Sequence, residues 1–456
     1  MIWIGFTVMI ATIVVSLALL RSWRGDALGI PPVAIGTFTL LYFVQPLQLV
    51  RSGTMGLFFS DWQVTEALLV PAFMLACFMW GWLRPTQQKP LRVPSWNPHT
   101  LWNWGFGAAC IGLMLFVVFL ERSGGIIASY SQSHGHAMAW ETNTAYLYYG
   151  PWLMLSGAAM MILANARFRS RRWRTYVPYG FLTVFLANAL LGGDRSPLFA
   201  VTTGTFICYS IARYKRVRLG QAFGLLFLVG CVVAIVFSYR DRIHLGPHVP
   251  EAEQNPGENL GELVGATSEY DREHGTAGQE FLCHAAELET VDQTGKLDWG
   301  VSWVTFLVVH PIPRLLWPEK SYLPGPGITN GDIRETTSFA PAGGSAPGIV
   351  SDLYHRFHLL SGLFMFGLGY AFRRLFIAAR TLSSPAASVG YVMLYAFSLQ
   401  MFAQGFGTIF VELPYSMIPV VLFVWVTKEK RRKAELRQRE LTLRHAEAFH
   451  REQWSS

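Results

Sequence analysis

Charge is what this chain has least of. Asp, Glu, Lys and Arg together make up 14% of its 456 residues while apolar residues make up 52%, a balance that excludes a soluble enzyme of this length. Cysteine is also scarce. Of the five, Cys77, Cys110, Cys208 and Cys231 fall within apolar runs and Cys283 lies outside them, so neither a disulfide framework nor a metal-type spacing is present. The external segments carry no Asp-x-Asp pair and no metal box, and no cofactor is expected. No internal repeat or inverted symmetry is visible.

What is present is a series of apolar segments long enough to cross a bilayer as helices, about 17–20 residues each. They lie near 2–20, 30–50, 65–83, 101–120, 146–166, 176–192, 197–212, 221–238, 353–372, 386–404 and 409–427. Basic residues follow every second one. Arg21 and Arg24 follow the first, Arg84, Lys89 and Arg92 the third, and Arg167 to Arg174 the fifth. Arg213 to Arg218 follow the seventh, Arg373, Arg374 and Arg380 the ninth, and a basic tail from Lys428 the last. This is the positive-inside pattern. It predicts an all-α polytopic membrane protein of about 11 transmembrane helices, with the N-terminus outside and the C-terminus cytoplasmic. The first segment has no basic residue before it and no small-residue cleavage site after it, so it reads as a span rather than a signal peptide.

Four regions follow: helices 1–8 over 1–238, a large external loop over 239–352, helices 9–11 over 353–427, and a cytoplasmic tail over 428–456. The loop is acidic from His244 to Asp298 and rich in Gly and Pro from Ser321 to Gly348, which predicts irregular chain there. Its segment 301–317 is long enough to span. Pro311, Pro313 and Arg314 would break such a helix and bury a charge, so a re-entrant or interfacial position is expected. The net charge of +8 is spread over separate short loops, which argues against a nucleic-acid partner.

Three arginine-bearing patches stand out on the external side, against the topological bias. They are GGDRSPLF at 192–199, FSYRDR at 237–242 and HPIPRLLWPEK at 310–320. A guanidinium makes bidentate, charge-assisted bonds to phosphate and keeps its charge when partly desolvated, which suits a lipid-linked phosphate ligand. An Arg at a helix end also snorkels to headgroups or pairs with a neighbour, here Asp194 or Asp241. The external histidines, His284 and His310 among them, are irregularly spaced and read as exposed loop residues. Tyr130, Trp140 and Trp317 read as interfacial anchors.

These patches carry a resemblance. GGDRSP after an apolar span, the IPRxLWPxK element in the large loop and the SGGI turn after the fourth span look like the Wzy-type oligosaccharide repeat-unit polymerases of bacteria, which build O-antigen and exopolysaccharide. SDLYHRFHLLSG at 351–362 is similar to an element of that family that enters the next span, although Arg356 stands where Asn is usual and His358 where Gly is usual. The resemblance implies a multi-pass protein of the bacterial inner membrane. It would transfer a growing glycan from undecaprenyl pyrophosphate to a sugar hydroxyl of the next lipid-linked repeat unit, without a metal. Its partners would be that lipid-linked oligosaccharide, membrane lipid, a chain-length regulator and a repeat-unit flippase.

Under this reading Arg195 and Arg314 stabilise the departing pyrophosphate, with Arg240 or Arg242, Lys320 and His310 binding substrate. Asp352 and Glu412 are candidates for the base by position, or else salt-bridge partners of nearby arginines. Competing readings are an O-antigen ligase-like glycosyltransferase, a transporter or flippase of lipid-linked sugars, and a non-catalytic membrane scaffold. A transporter is expected to carry charge at mid-membrane, whereas these spans are nearly free of it.

Overall fold

The computed structural model describes residues 1–22, 29–84, 96–130, 145–167, 172–192, 195–213, 279–309, 328–337, 348–381, 384–407 and 412–429, with a few isolated positions between them. Every element among the described residues is helical. We number the main helices α1 Ile2–Ser22, α2 Pro31–Ser52, α3 Asp61–Leu83, α4 Pro98–Arg122, α5 Gly150–Arg167, α6 Arg172–Leu191 and α7 Arg195–Ala212. There follow α8 Gln279–Thr294, α9 Val301–Val308, α10 Asn330–Thr337, α11 Gly348–Phe357, α12 Ser361–Arg380, α13 Pro385–Ala396, α14 Ser398–Gln404 and α15 at 412–429.

The described residues hold five helices long and apolar enough to cross a membrane, or six if α13 and α14 are one crossing bent by 46°. Those five are α1, α2, α3, α4 and the α11–α12 run. Shorter apolar helices occupy 150–166 and 196–212, and the expected span at 221–238 lies outside the described residues. At about 1.5 Å per residue, the 23 residues of α3 cover roughly 35 Å, more than a hydrocarbon core of about 30 Å. Large apolar side chains such as Val14, Phe73, Ile111, Val117 and Leu422 are exposed, the mark of a surface that faces lipid.

Local chemistry sets where these helices begin. Ser60 caps α3 by accepting from the Gln63 N–H, while the Gln63 side chain accepts from the Ser60 N–H at 2.7 Å. Asn97 caps α4, its Oδ1 accepting from the His99 N–H at 2.9 Å, and Pro98 occupies the first helical position. Inside α2 a π-helical turn over Leu40–Val44 interrupts the regular ladder.

Several boundaries differ from the sequence reading. The span expected at 353–372 is two helices, α11 and α12, separated by a 3₁₀ turn at His358–Leu360 in which His358 has φ of +49°. The span at 386–404 breaks at Phe397. Segment 301–317 is helical only over α9 among its described residues, and Pro311, Pro313 and Arg314 lie outside them. The Gly- and Pro-rich stretch is not irregular throughout, since it holds α10.

The acidic stretch holds more. Its last part folds into α8 and buries Phe281, Leu282, Cys283, Ala285, Ala286, Leu288 and Val291 in the main core. Cys283, read as a loop residue, is therefore a core residue. The 3.6-residue apolar period of FLCHAAELETV explains the burial, and the carboxylates interleaved with it obscured the pattern.

Helices pair through glycine. Gly105 and Gly112 of α4 face Gly157 and Gly150 of α5 in antiparallel order, so each pair lets two backbones touch. A Cβ added at Gly105 would stand 2.7 Å from the Gly157 carbonyl oxygen, and one at Gly112 would stand 2.5 Å from that of Gly150. On the other side of the bundle α3 and α12 run parallel, with Gly362 against Phe73 and Cys77 near the start of α12 and Phe376 against Trp82 near the end of α3, and Gly81 and Gly369 let the backbones touch between. Gly107 of α4 meets nothing within 4 Å. We therefore expect Gly112→Val to lower the melting temperature of the detergent-solubilised protein markedly and to broaden its elution on size exclusion. Gly107→Ala should leave both unchanged or slightly improved.

Candidate functional site at the rim

Of the candidate residues, the structure describes the side chains of Asp352 and Glu412. Arg195 opens α7, and only its backbone is described. Arg240, Arg242, His310, Arg314 and Lys320 lie outside the described residues.

Asp352 sits on α11, at the end of the bundle where α3 and α12 begin. Its Oδ1 accepts from Arg356 one turn later on the same helix, and its Oδ2 accepts the Phe406 backbone N–H at 2.9 Å. Of the two readings for this residue, the salt-bridge partner is the one observed. Both oxygens are engaged, so Asp352 fastens the turn after α14 to the mouth of α12. A Cβ at Gly405, where φ is +89°, would collide with the Asp352 side chain, which is why glycine stands there.

Arg356 is the centre of this arrangement and is only 6% exposed. Its Nη2 donates to Ser302 Oγ at 2.7 Å, and its Nε lies 3.5 Å from Asp298 Oδ2. Ser302 in turn bonds the Asp298 carboxylate, which lies just before α9. The guanidinium also stacks 5.1 Å from the centre of the Trp303 ring, and Trp303 packs against Phe357, Phe406 and Phe410. One buried cation thus ties together α9, α11 and the 405–410 turn. Sequence reasoning placed Arg356 only as a departure from a family pattern. Its i, i+4 spacing from Asp352 was the available signal.

A second tie lies one step along the same helix. His284 of α8 is fully buried, not an exposed loop residue. Its Nε2 lies 3.0 Å from the Ala67 carbonyl of α3, and its Nδ1 lies 2.5 Å from Ser351 Oγ. The carbonyl can only accept, so Nε2 carries the proton and Nδ1 accepts from the serine. Burial pushes this imidazole down to about 3, so it stays neutral. A third tie joins Tyr354, whose hydroxyl donates to Asp292 at 2.9 Å and lies 2.9 Å from His358 Nε2.

Glu412 opens α15 beside Tyr149, which stacks on Tyr415 with centroids 5.2 Å apart. Tyr130, expected as an interfacial anchor, is buried, and its hydroxyl donates to Asn188 near the end of α6. That contact brings the turn after α4 to the end of α6, three residues before Leu191 and close in sequence to Arg195.

Among the described residues, the ionisable side chains that are fully buried, other than Cys and Tyr, are His284, Asp298 and Arg356, and all three belong to this rim. Glu287 of α8 also stands beside Asp352 and Arg356, half-buried. Comparison with protein-family models, with curated proteins and with solved structures finds no match to this chain.

Removing the cation would strand two carboxylates in a dry site. We expect Arg356→Met to cost about 3–5 kcal/mol in denaturant titration of the detergent-solubilised protein. Adding Asp298→Asn and Asp352→Asn to it should restore most of that loss, because the stranded charges are then gone.

Proposed function

We propose that the protein is a membrane glycosyltransferase that polymerises undecaprenyl-pyrophosphate-linked oligosaccharide repeat units at the external face of a bacterial inner membrane. The sequence elements GGDRSP, IPRxLWPxK and SGGI support this reading, as does the sorting of basic residues. The observation that carries it is where the buried charge lies. The buried Asp, Arg and His side chains among the described residues gather at one rim, while the bundle below is apolar and packed through glycine.

The rim is the end that the charge pattern assigns to the outside. The parallel course of α3 and α12 agrees with the expected topology, in which five crossings separate them. Arg84, Arg174, Arg213 and Arg373 stack on Trp80, Trp102, Tyr209 and Trp82, and each belongs to a basic group that the charge pattern assigns to the cytoplasmic side.

In the proposed reaction negative charge grows on the departing pyrophosphate as the anomeric carbon–oxygen bond breaks. Fixed cations at that place stabilise the transition state more than the ground state. Arg195 and Arg314 fill that role, with Arg240 or Arg242 and Lys320 gripping the diphosphate and His310 beside it. The helix that leads to Arg314 is α9, which Ser302 and Asp298 hold to Arg356.

A flippase of lipid-linked sugars is the second reading, favoured by the bend between α13 and α14 and by the π-turn in α2. The two readings part on what accumulates. Under the polymerase reading, cells carrying Arg195→Ala or Arg314→Ala should make single repeat units, display them externally and form no long polymer, with normal protein levels. Under the flippase reading the lipid-linked units would remain on the cytoplasmic leaflet. Full-length polymer from both variants would remove the pyrophosphate role.

A further inference from the structure

Glu287 is placed on α8 by contacts on either side of it. One turn before it, His284 is tied to Ser351 of α11 and to Ala67 of α3. Five residues after it, Asp292 is tied to Tyr354 of α11. Between those ties Glu287 faces Asp352 and Arg356 of α11 and lies near the Tyr42 hydroxyl of α2. Asp352 is already engaged through both oxygens, and Arg356 donates to Asp352 and Ser302 while its Nε lies 3.5 Å from Asp298. No described residue donates a hydrogen bond to Glu287 or forms an ion pair with it. Protein surrounds this side chain as closely as a core residue, yet part of its surface stays open to water. It is therefore reachable from water at the rim. A largely buried carboxyl with no partner among the described residues weakens the fold, and such groups cluster where chemistry uses them.

We propose that Glu287 is the general base of the transfer, taking the proton from the acceptor sugar's hydroxyl. This deepens the polymerase reading and rests on it. The acceptor oxygen bonds to the anomeric carbon of the donor glycan. The bond from that carbon to the pyrophosphate oxygen breaks, and its electron pair leaves with the lipid pyrophosphate. The hydroxyl proton passes to the Glu287 carboxylate and from there to water. Asp352, expected from its position to be a candidate, is a positioning residue, because neither of its oxygens is free to receive a proton.

Burial and the neighbouring Asp352 raise the Glu287 carboxyl to about 8, with Arg356 opposing the rise. A base is most effective when its pKa lies near the working pH. The other titratable groups around it are Tyr42 on α2, His284 on its own helix, and Glu66 on α3, which faces Asp292 one turn farther along.

The test uses the full-length protein in lipid vesicles supplied with lipid-pyrophosphate-linked repeat units, with polymer length and rate as readout. Wild-type kcat should rise about tenfold per pH unit below the Glu287 pKa and level off above it, since only the carboxylate can accept a proton. Glu287→Gln should lose about 10²- to 10⁴-fold in kcat while KM for the lipid-linked donor and the melting temperature hold. Glu287→Asp should retain measurable activity with a shifted pH midpoint, and it decides the matter if the Gln variant does not fold. Near-wild-type kcat in Glu287→Gln, or an unshifted pH profile in Glu287→Asp, would overturn the role. Wild-type protein that makes no polymer removes the polymerase reading, and the role of Glu287 with it.

Discussion

A guanidinium taken out of water must be given fixed anions, and that requirement organises the rim. Arg356 finds them in Asp298 and Asp352, and the consequence is geometric. Asp298 precedes α9, Asp352 sits on α11 and holds the Phe406 N–H, so one charge fixes the relative placement of three chain segments far apart in sequence. Replacing a buried ion cluster by apolar residues of similar volume is often neutral or stabilising, so stability alone does not account for its presence. What such a cluster supplies, and apolar packing does not, is a single register. An apolar α9 could slide against α11, whereas Ser302 and Asp298 can meet Arg356 in only one position.

Below the rim the bundle is held by a different force. Lipid tails are as apolar as leucine, so burying apolar side chains adds little to helix association in a membrane. Close backbone approach does the work instead, through Gly105, Gly112, Gly150 and Gly157 on one side and Gly81 and Gly369 on the other. The two devices are complementary. Glycine contacts need no charge and tolerate an apolar surround, which leaves the helix middles free of ionisable groups. The buried Asp, Arg and His side chains among the described residues all lie at one end of the bundle.

How much of this was legible follows the same physics. The long apolar helices were readable because twenty apolar residues cannot hide, and five of them stand among the described residues. Breaks within spans were not: at the turn His358 meets Asp292 of α8, and at the bend Phe397 packs on Trp152 of α5, partners that lie far from those helices in sequence. The insertion of α8 was obscured by composition. Glu280, Glu287, Glu289 and Asp292 made the segment look solvated, although Phe281, Ala285, Leu288 and Val291 repeat at helical spacing beneath them. Asp352 was found by position and left between two roles, a base or a salt-bridge partner, because only the fold shows that Arg356 and Phe406 bond its two oxygens. Glu287 was one carboxylate among a dozen in its stretch, and nothing local marks the one that has no partner among the described residues.

The charge count around Arg356 makes that last point sharper. Asp298, Asp352 and Glu287 share a single described guanidinium, so full ionisation would leave two negative charges in a poorly hydrated pocket. Burial first, and the neighbouring Asp352 second, make Glu287 hold its proton to about pH 8. A diphosphate arriving nearby would make that excess worse and would drive Glu287 still further from its charged form. A base in this pocket can act beside such a ligand only if the ligand brings its own cations or meets them in the protein. In the proposed reaction that role falls to Arg195, Arg240, Arg242 and Arg314. Under this reading the two sets of residues are one device: without the arginines the carboxylate could not ionise next to pyrophosphate, and without the carboxylate the arginines would bind a donor that no hydroxyl is ready to attack.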